Sequence, residues 1–208
     1  NSGFPQYYAQ RLADMVKVWR DLWGLGEMPF YEVELAPFTY GGDGTTGARI
    51  REAQHKAVEL IPGSGIASIN DLAYPYEYDE IHPRRKKEVG ERLSYLALNR
   101  TYGMDYLPCE GPRFKSYEVR GGEIEVAFYN GESGFSPWHD IVGFEIAGED
   151  KVFHPAKIRR GTQLNTVIVK SDKVPAPVAV RYCFRDFQVG NFTGRRCLPV
   201  IPFRTDNW

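Results

Sequence analysis

The chain has 208 residues, 42% of them hydrophobic and 25% charged, which sets it among globular proteins of one or two domains that can bury a core without metals or staples. Lys and Arg number 26 against 27 Asp and Glu, a formal net charge of −1, so a nucleic-acid partner is disfavoured. No apolar run approaches the roughly 20 residues of a membrane span, and Asn1 opens on a polar stretch with no signal-peptide pattern.

Tyr8, Leu12, Met15, Trp19 and Leu22 recur at helical spacing and predict an amphipathic helix over 5–23, with Pro5 in its first turn and Gly24 and Gly26 stopping it. Phe30 to Leu35 alternates like a strand. A glycine loop from Gly41 to Gly47 leads to a second helix with Ile50, Ala53, Ala57 and Leu60 on one face, ended by Pro62 and Gly63. Ile66 to Ile69 reads as a short buried strand. A third helix is expected from about Arg84 to Tyr102, with Val89, Leu93, Leu96 and Ala97 inward. Helix, strand, helix, strand, helix is the order of a doubly wound parallel sheet.

The character changes near Cys109 to Pro112. Phe114–Val119, Glu123–Phe128, Val142–Ile146, Thr166–Lys170 and Val178–Phe184 read as strands, with Arg120-Gly121-Gly122 as a hairpin turn. The expected architecture is an α/β domain over residues 1–107 followed by an antiparallel β-sandwich over 108–208. Residues 1–107 carry 12 basic and 15 acidic side chains and the remainder 14 and 12, too even to mark a charged partner. Cys109, Cys183 and Cys197 lack metal-site spacing. Cys183 and Cys197 could pair in an oxidising compartment, and otherwise all three are free thiols.

Gly41-Gly42-Asp43-Gly44 lacks the Gly-Lys-Ser/Thr of a phosphate loop and reads as a flexible surface loop. Among four histidines, His55 lies off the apolar helix face and should be solvated, and His154 before Pro155 reads as structural. His139 and Asp140 are adjacent in an extended stretch, so their side chains point apart. His82 sits in Tyr78-Asp79-Glu80-Ile81-His82-Pro83, between a strand and a helix, where open α/β sheets place their catalytic rim. In a tight turn, a carboxylate three residues earlier can accept a hydrogen bond from Nδ1–H and leave Nε2 as a general base. Pro83 would start the helix, and Glu80 would point elsewhere. The plain alternative is a helix N-cap beside a surface histidine.

Ordered segments along the whole chain resemble the carboxy-terminal portion of a sialate O-acetylesterase, an SGNH/GDSL-type carbohydrate esterase. They are Trp19-Arg20-Asp21-Leu22-Trp23-Gly24, Pro29 to Phe38 with Glu34 where Gln is more usual, Arg51-Glu52-Ala53-Gln54, and Asp79-Glu80-Ile81-His82-Pro83 with Val89-Gly90-Glu91-Arg92-Leu93. Phe144 to Gly148, Val180-Arg181-Tyr182 and Pro202 to Asp206 resemble that family's closing β-domain. The resemblance implies the second half of a flavodoxin-like (SGNH hydrolase) parallel-sheet domain, then the β-sandwich. It also implies hydrolysis of O-acetyl esters of sialic acids by a Ser-His-Asp mechanism in a secreted or periplasmic setting, with no metal or organic cofactor. His82 is then the general base and Asp79 its orienting acid, with Asp71 as a second candidate acid. Tyr74, Tyr76 and Tyr78 could wall a sugar ring.

The family's nucleophile block and its oxyanion-hole segment have no counterpart here. Ser2, Ser64 and Ser68 are poor substitutes, because none sits on a strand-to-helix elbow ahead of the matched region. The expected partners are therefore an O-acetylated sugar and either the serine-bearing upstream segment or a second copy of the chain. Two other readings remain: a non-catalytic carbohydrate-binding or structural fragment, and an acetyl-esterase of the same fold acting on another sugar such as acetylated xylan.

Overall fold

A computed structural model describes residues 3–208. The chain is mixed α/β, with one small parallel strand pair and several antiparallel sheets. It divides into two compact units. The first holds Asn1–Cys109 with Arg185–Phe187, and the second Glu110–Phe184 with Gln188–Trp208.

In the first unit a single 3₁₀ turn, Pro5–Tyr7, leads into α1 (Tyr8–Trp23), which stops where Gly24 takes up left-handed φ. β1 (Phe30–Val33) pairs in parallel with β2 (Ser64–Ala67), and α2 (Thr46–Leu60) crosses between them. α3 (Lys86–Leu96) follows and ends in one π-helical turn, Ala97–Thr101. The small core under α1 is Val16, Ala57 and Ile61, with Ala9, Leu12, Ala13 and Phe30 packed against it.

Several expectations need correction. The inward stripe of α1 is the buried Val16 with the half-buried Ala9, Leu12 and Ala13, whereas Met15, Trp19 and Leu22 are exposed, Leu22 at 76%. Leu60 is exposed too, and α2 instead buries Gly47, Ala48, Ile50, Ala53 and Ala57 together with the polar Arg51 and Gln54. The second strand begins two residues earlier than its apolar run. α3 starts at Lys86, so Pro83 is a buried residue of the preceding loop and not the helix start.

The glycine loop is tied rather than loose. The Asp43 carboxylate accepts Thr45 N–H at 2.9 Å and its hydroxyl at 2.7 Å, and Arg49 at 2.8 Å. Gly47 N–H donates to Asp186 Oδ1 at 2.6 Å, in the segment that returns to this unit. A Cβ at Gly47 would lie 2.5 Å from the Tyr40 ring, so only glycine fits there.

The second unit contains β3 (Arg113–Arg120), β4 (Glu123–Tyr129), β5 (Phe135–Ser136), β6 (Phe144–Ala147), β7 (His154–Pro155) and β8 (Lys157–Arg160). After these come β9 (Thr166–Lys170), β10 (Ala179–Tyr182), β11 (Thr193–Gly194) and β12 (Phe203–Arg204). Arg120 pairs with Glu123 across a Gly121-Gly122 turn, the hairpin expected from sequence. One antiparallel sheet runs β3-β4-β9-β8, a second β12-β10-β6-β7, and β11-β5 is a short ribbon. Ile124, Val126, Phe128, Val167 and Val169 from the first sheet share one core with Phe144, Ile146, Val180, Tyr182 and Phe203 from the second. Cys183 is buried and Cys197 exposed, and neither forms a disulfide.

Candidate active site

The loop after β2 begins at Ser68 and reaches α3 through a 3₁₀ turn at Pro75–Glu77. Its shape depends on one buried carboxylate. Glu77 Oε2 accepts Tyr74 N–H at 2.8 Å, and Oε1 accepts Arg84 N–H at 3.2 Å with the Arg84 Nε 3.6 Å away. Glu77 thus ties the two ends of the segment that carries the tyrosines, Asp79 and His82. A buried carboxylate must find donors, and here the loop's own backbone supplies them. Tyr78 C=O accepts Thr39 N–H at 3.2 Å and the Thr39 hydroxyl at 2.5 Å, which anchors the middle of the loop.

What this scaffold holds up is exposed. Tyr74 and Tyr76 stack at 5.3 Å between ring centroids, nearly parallel at 7°, and Arg84 lies over the Tyr76 ring. Tyr78, Asp79 and His82 also face solvent. His82 N–H donates to Glu80 Oε1 at 3.0 Å, so Glu80 shapes the turn instead of pointing away. Asp79 and His82 lie three residues apart on the same loop, with no hydrogen bond or ion pair between their side chains among the described residues.

Asp71, the second candidate acid, is committed elsewhere. Arg92 grips both of its carboxylate oxygens at 2.6 Å and also donates to Ser68 C=O at 2.6 Å. This fork-to-fork pair holds the carboxylate on Arg92, and among the described residues neither oxygen is bonded to a histidine. Ser64 is buried and donates to the carbonyls of Val58 and Ile61 at 3.0 and 2.7 Å. Ser68 is buried and donates to Glu34 Oε2 at 2.8 Å and to Asn70 Oδ1 at 3.2 Å. Neither hydroxyl meets an imidazole, which agrees with their being poor nucleophiles; Ser2 lies outside the described residues.

Sequence reasoning missed a second polar centre. His55 is not solvated: its Nε2 lies 3.0 Å from Glu34 Oε1, and Glu34 is fully buried. Glu34 Oε2 accepts Ser68 Oγ and also Ile69 N–H at 2.9 Å. Burial would push the Glu34 carboxyl up, but the hydrogen bond and charge of His55, the Arg51 charge and the Ile69 N–H together hold it below the ordinary value. Two residues earlier, within β1, burial pushes Glu32 up to about 7 against the opposing Gln54 hydrogen bond and His55 charge.

Serine, glutamate and histidine therefore meet here, but with the carboxylate in the middle. The hydroxyl donates to the acid and no base is placed to take its proton, so the cluster ties β1, α2 and the end of β2 together rather than making a nucleophile. Glu77 escaped notice because a charged residue in a loop reads as solvated. The signal was present, since Pro75 opens a turn with Glu77 two residues on, where a side chain can reach back to the preceding N–H.

A scan against protein-family models finds no match, and neither does a search of curated proteins. Among solved structures, the chain is similar to a carbohydrate acetylesterase from Xanthomonas citri, with 39% identity and a TM-score of 0.85. The match covers 97% of this chain and 46% of that one, so the chain spans about half the length of the structure it matches. It is thus related to a part of a carbohydrate acetylesterase, a carboxylic ester hydrolase.

Proposed function

We propose that the chain supplies the histidine half of a carbohydrate acetylesterase that cleaves O-acetyl esters on sugars, with acetylated sialic acid as the substrate. The observation that carries this reading is His82 itself, an exposed imidazole on a loop braced by Glu77, in a chain 39% identical to a carbohydrate acetylesterase over 97% of its length.

In this mechanism a serine from outside the chain attacks the acetyl carbonyl. His82 Nε2 takes the serine proton and passes it to the departing sugar hydroxyl, leaving an acetyl-enzyme. His82 then takes a proton from water as it attacks that ester, and returns it to the serine as acetate leaves. Asp79 swings onto Nδ1 of His82 once substrate and the serine-bearing segment are in place, since catalytic hydrogen bonds often tighten only in the loaded site. Tyr74 and Tyr76 present a stacked aromatic wall to a sugar ring.

On this reading the first unit is the closing part of a flavodoxin-like SGNH domain and the second its appended β-sandwich. The exposed apolar residues of α1, among them Val18, Leu22 and Trp23, suit a covering segment such as the serine-bearing half. Acetylated glycans outside the cell would place the enzyme in a secreted or periplasmic setting. The absence of a bond between Asp79 and His82 favours a second reading, a carbohydrate-binding fragment without catalysis.

Acetate release separates the two. A polypeptide that joins this chain to a serine-bearing half should deacetylate O-acetylated sialic acid, while the 208-residue chain alone stays at background, because a base without its nucleophile and oxyanion donors loses both main catalytic terms. No turnover by the joined polypeptide on any acetylated sugar overturns the esterase reading. Efficient turnover by the 208 residues alone places the nucleophile inside them.

A further inference from the structure

The second unit contains a cavity of about 420 Å³ that the esterase reading does not use. One wall is the turn between β8 and β9, with Arg160, Thr162 and Gln163. The other is the β5–β11 ribbon, with Ser133, Trp138 and Arg195. Both walls are held by short internal bonds. Glu125 is 5% exposed and its Oε1 accepts Thr162 N–H, the Thr162 hydroxyl and the Thr166 hydroxyl at 2.6, 2.7 and 2.8 Å. Gln163 and Thr166 close the same turn on each other. Across the cavity, Arg195 N–H donates to Gly134 C=O at 3.0 Å, and Trp138 packs edge to face with Phe135 and Phe192.

The charges are unbalanced. Arg160 lies over the Trp138 ring, 5.2 Å from its centroid, so its planar guanidinium is braced by the indole. No Asp or Glu lines the cavity, and among the described residues neither Arg160 nor Arg195 is bonded to a carboxylate. Glu125, the acid bonded to the β8–β9 turn, is already spent on that turn and on its ion pair with Arg120. Arg160 and Arg195, neither bonded to a carboxylate, line together with the Trp138 indole, Ser133 and Gln163 a space large enough for one or two pyranose rings.

We infer that this cavity is a binding site for a carboxylate-bearing sugar, with Arg160 and Arg195 gripping the carboxylate and the polar walls meeting ring hydroxyls. Planar bidentate recognition of carboxylates is what arginine does better than lysine. The site stands apart from the esterase reading, because binding is measured without turnover.

The test titrates the 208-residue chain with methyl β-glucuronide, N-acetylneuraminic acid, the neutral methyl β-glucoside and acetate, following the Trp138 indole N–H by NMR. At least one acidic sugar should bind saturably and about tenfold or more tighter than both the glucoside and acetate, and which of the two it is identifies the source. Arg160→Gln and Arg195→Gln should each weaken that binding by about tenfold or more, with unchanged melting temperature, since both side chains are exposed. Four results overturn the inference: no saturable binding, equal binding of the glucoside, equal binding of acetate, or an affinity indifferent to both substitutions.

Discussion

His55 and His82 belong to the same unit and differ in everything but residue type. His55 is four-fifths buried and bonded to a carboxylate that also takes a serine hydroxyl and a backbone N–H. His82 is exposed, and its ring makes no bond among the described residues. The first site has the residue types of a catalytic triad in an order that cannot work. The second has one uncommitted base on a firmly built loop. Residue identity does not distinguish a structural polar cluster from a site awaiting substrate; what distinguishes them is where the protons and lone pairs already go.

If the Glu34 centre is structural, removing its carboxylate should be the most damaging change to stability. Glu34→Ala leaves His55 and Ile69 N–H without their acceptor, with Ser68 Oγ keeping only Asn70 Oδ1, and should cost about 3–5 kcal/mol in urea unfolding. His82→Ala and Asp79→Ala should stay within about 0.5 kcal/mol. Equal effects at both places would erase the contrast.

Glu77→Ala is expected next in size, at about 1–3 kcal/mol, because it frees Tyr74 N–H and Arg84 N–H. Hydrogen exchange should then quicken across 74–84 and not in β1 or β2, which would show that the carboxylate braces the presenting loop.

The smallest effect concerns pH. Glu32 has a folded value of about 7, above its unfolded value, so its contribution to stability is present at low pH and lost as pH rises towards 7. Glu34 runs the other way: its value is depressed, and its contribution fades only as pH falls through that lowered value. Glu32→Gln should flatten the fall in stability between about pH 5 and 7, a gain of about 1–2 kcal/mol at pH 8 once solvent screening is allowed for. An unchanged pH profile would show that Glu32 is not the titrating group.

The comparison also shows what could be read from the sequence. α2 and the Gly121-Gly122 hairpin were legible because periodicity and turn chemistry are local. The inward face of α1 differs from the expected one because apolar spacing marks a sticky face without saying whether anything covers it; Trp19 and Leu22 carry the pattern and remain exposed. The two-residue strands β5, β7, β11 and β12 are too short to show a period. The return of Arg185–Phe187 to the first unit, where Asp186 meets Gly47, is a long-range pairing that no window contains. His82 stood out because it sits between a strand and a helix after a run of tyrosines. The buried roles of Glu34, Glu77 and Arg92 were hidden because charged side chains look solvated until their partners are known.

The central claim is that His82, and not His55, moves the proton. It is tested most directly by the kcat of His82→Ala in the polypeptide that carries this chain with its serine-bearing half. The account predicts a loss of about 10³-fold or more in kcat with the unfolding midpoint unchanged. A rate within a few-fold of the unsubstituted protein would contradict it.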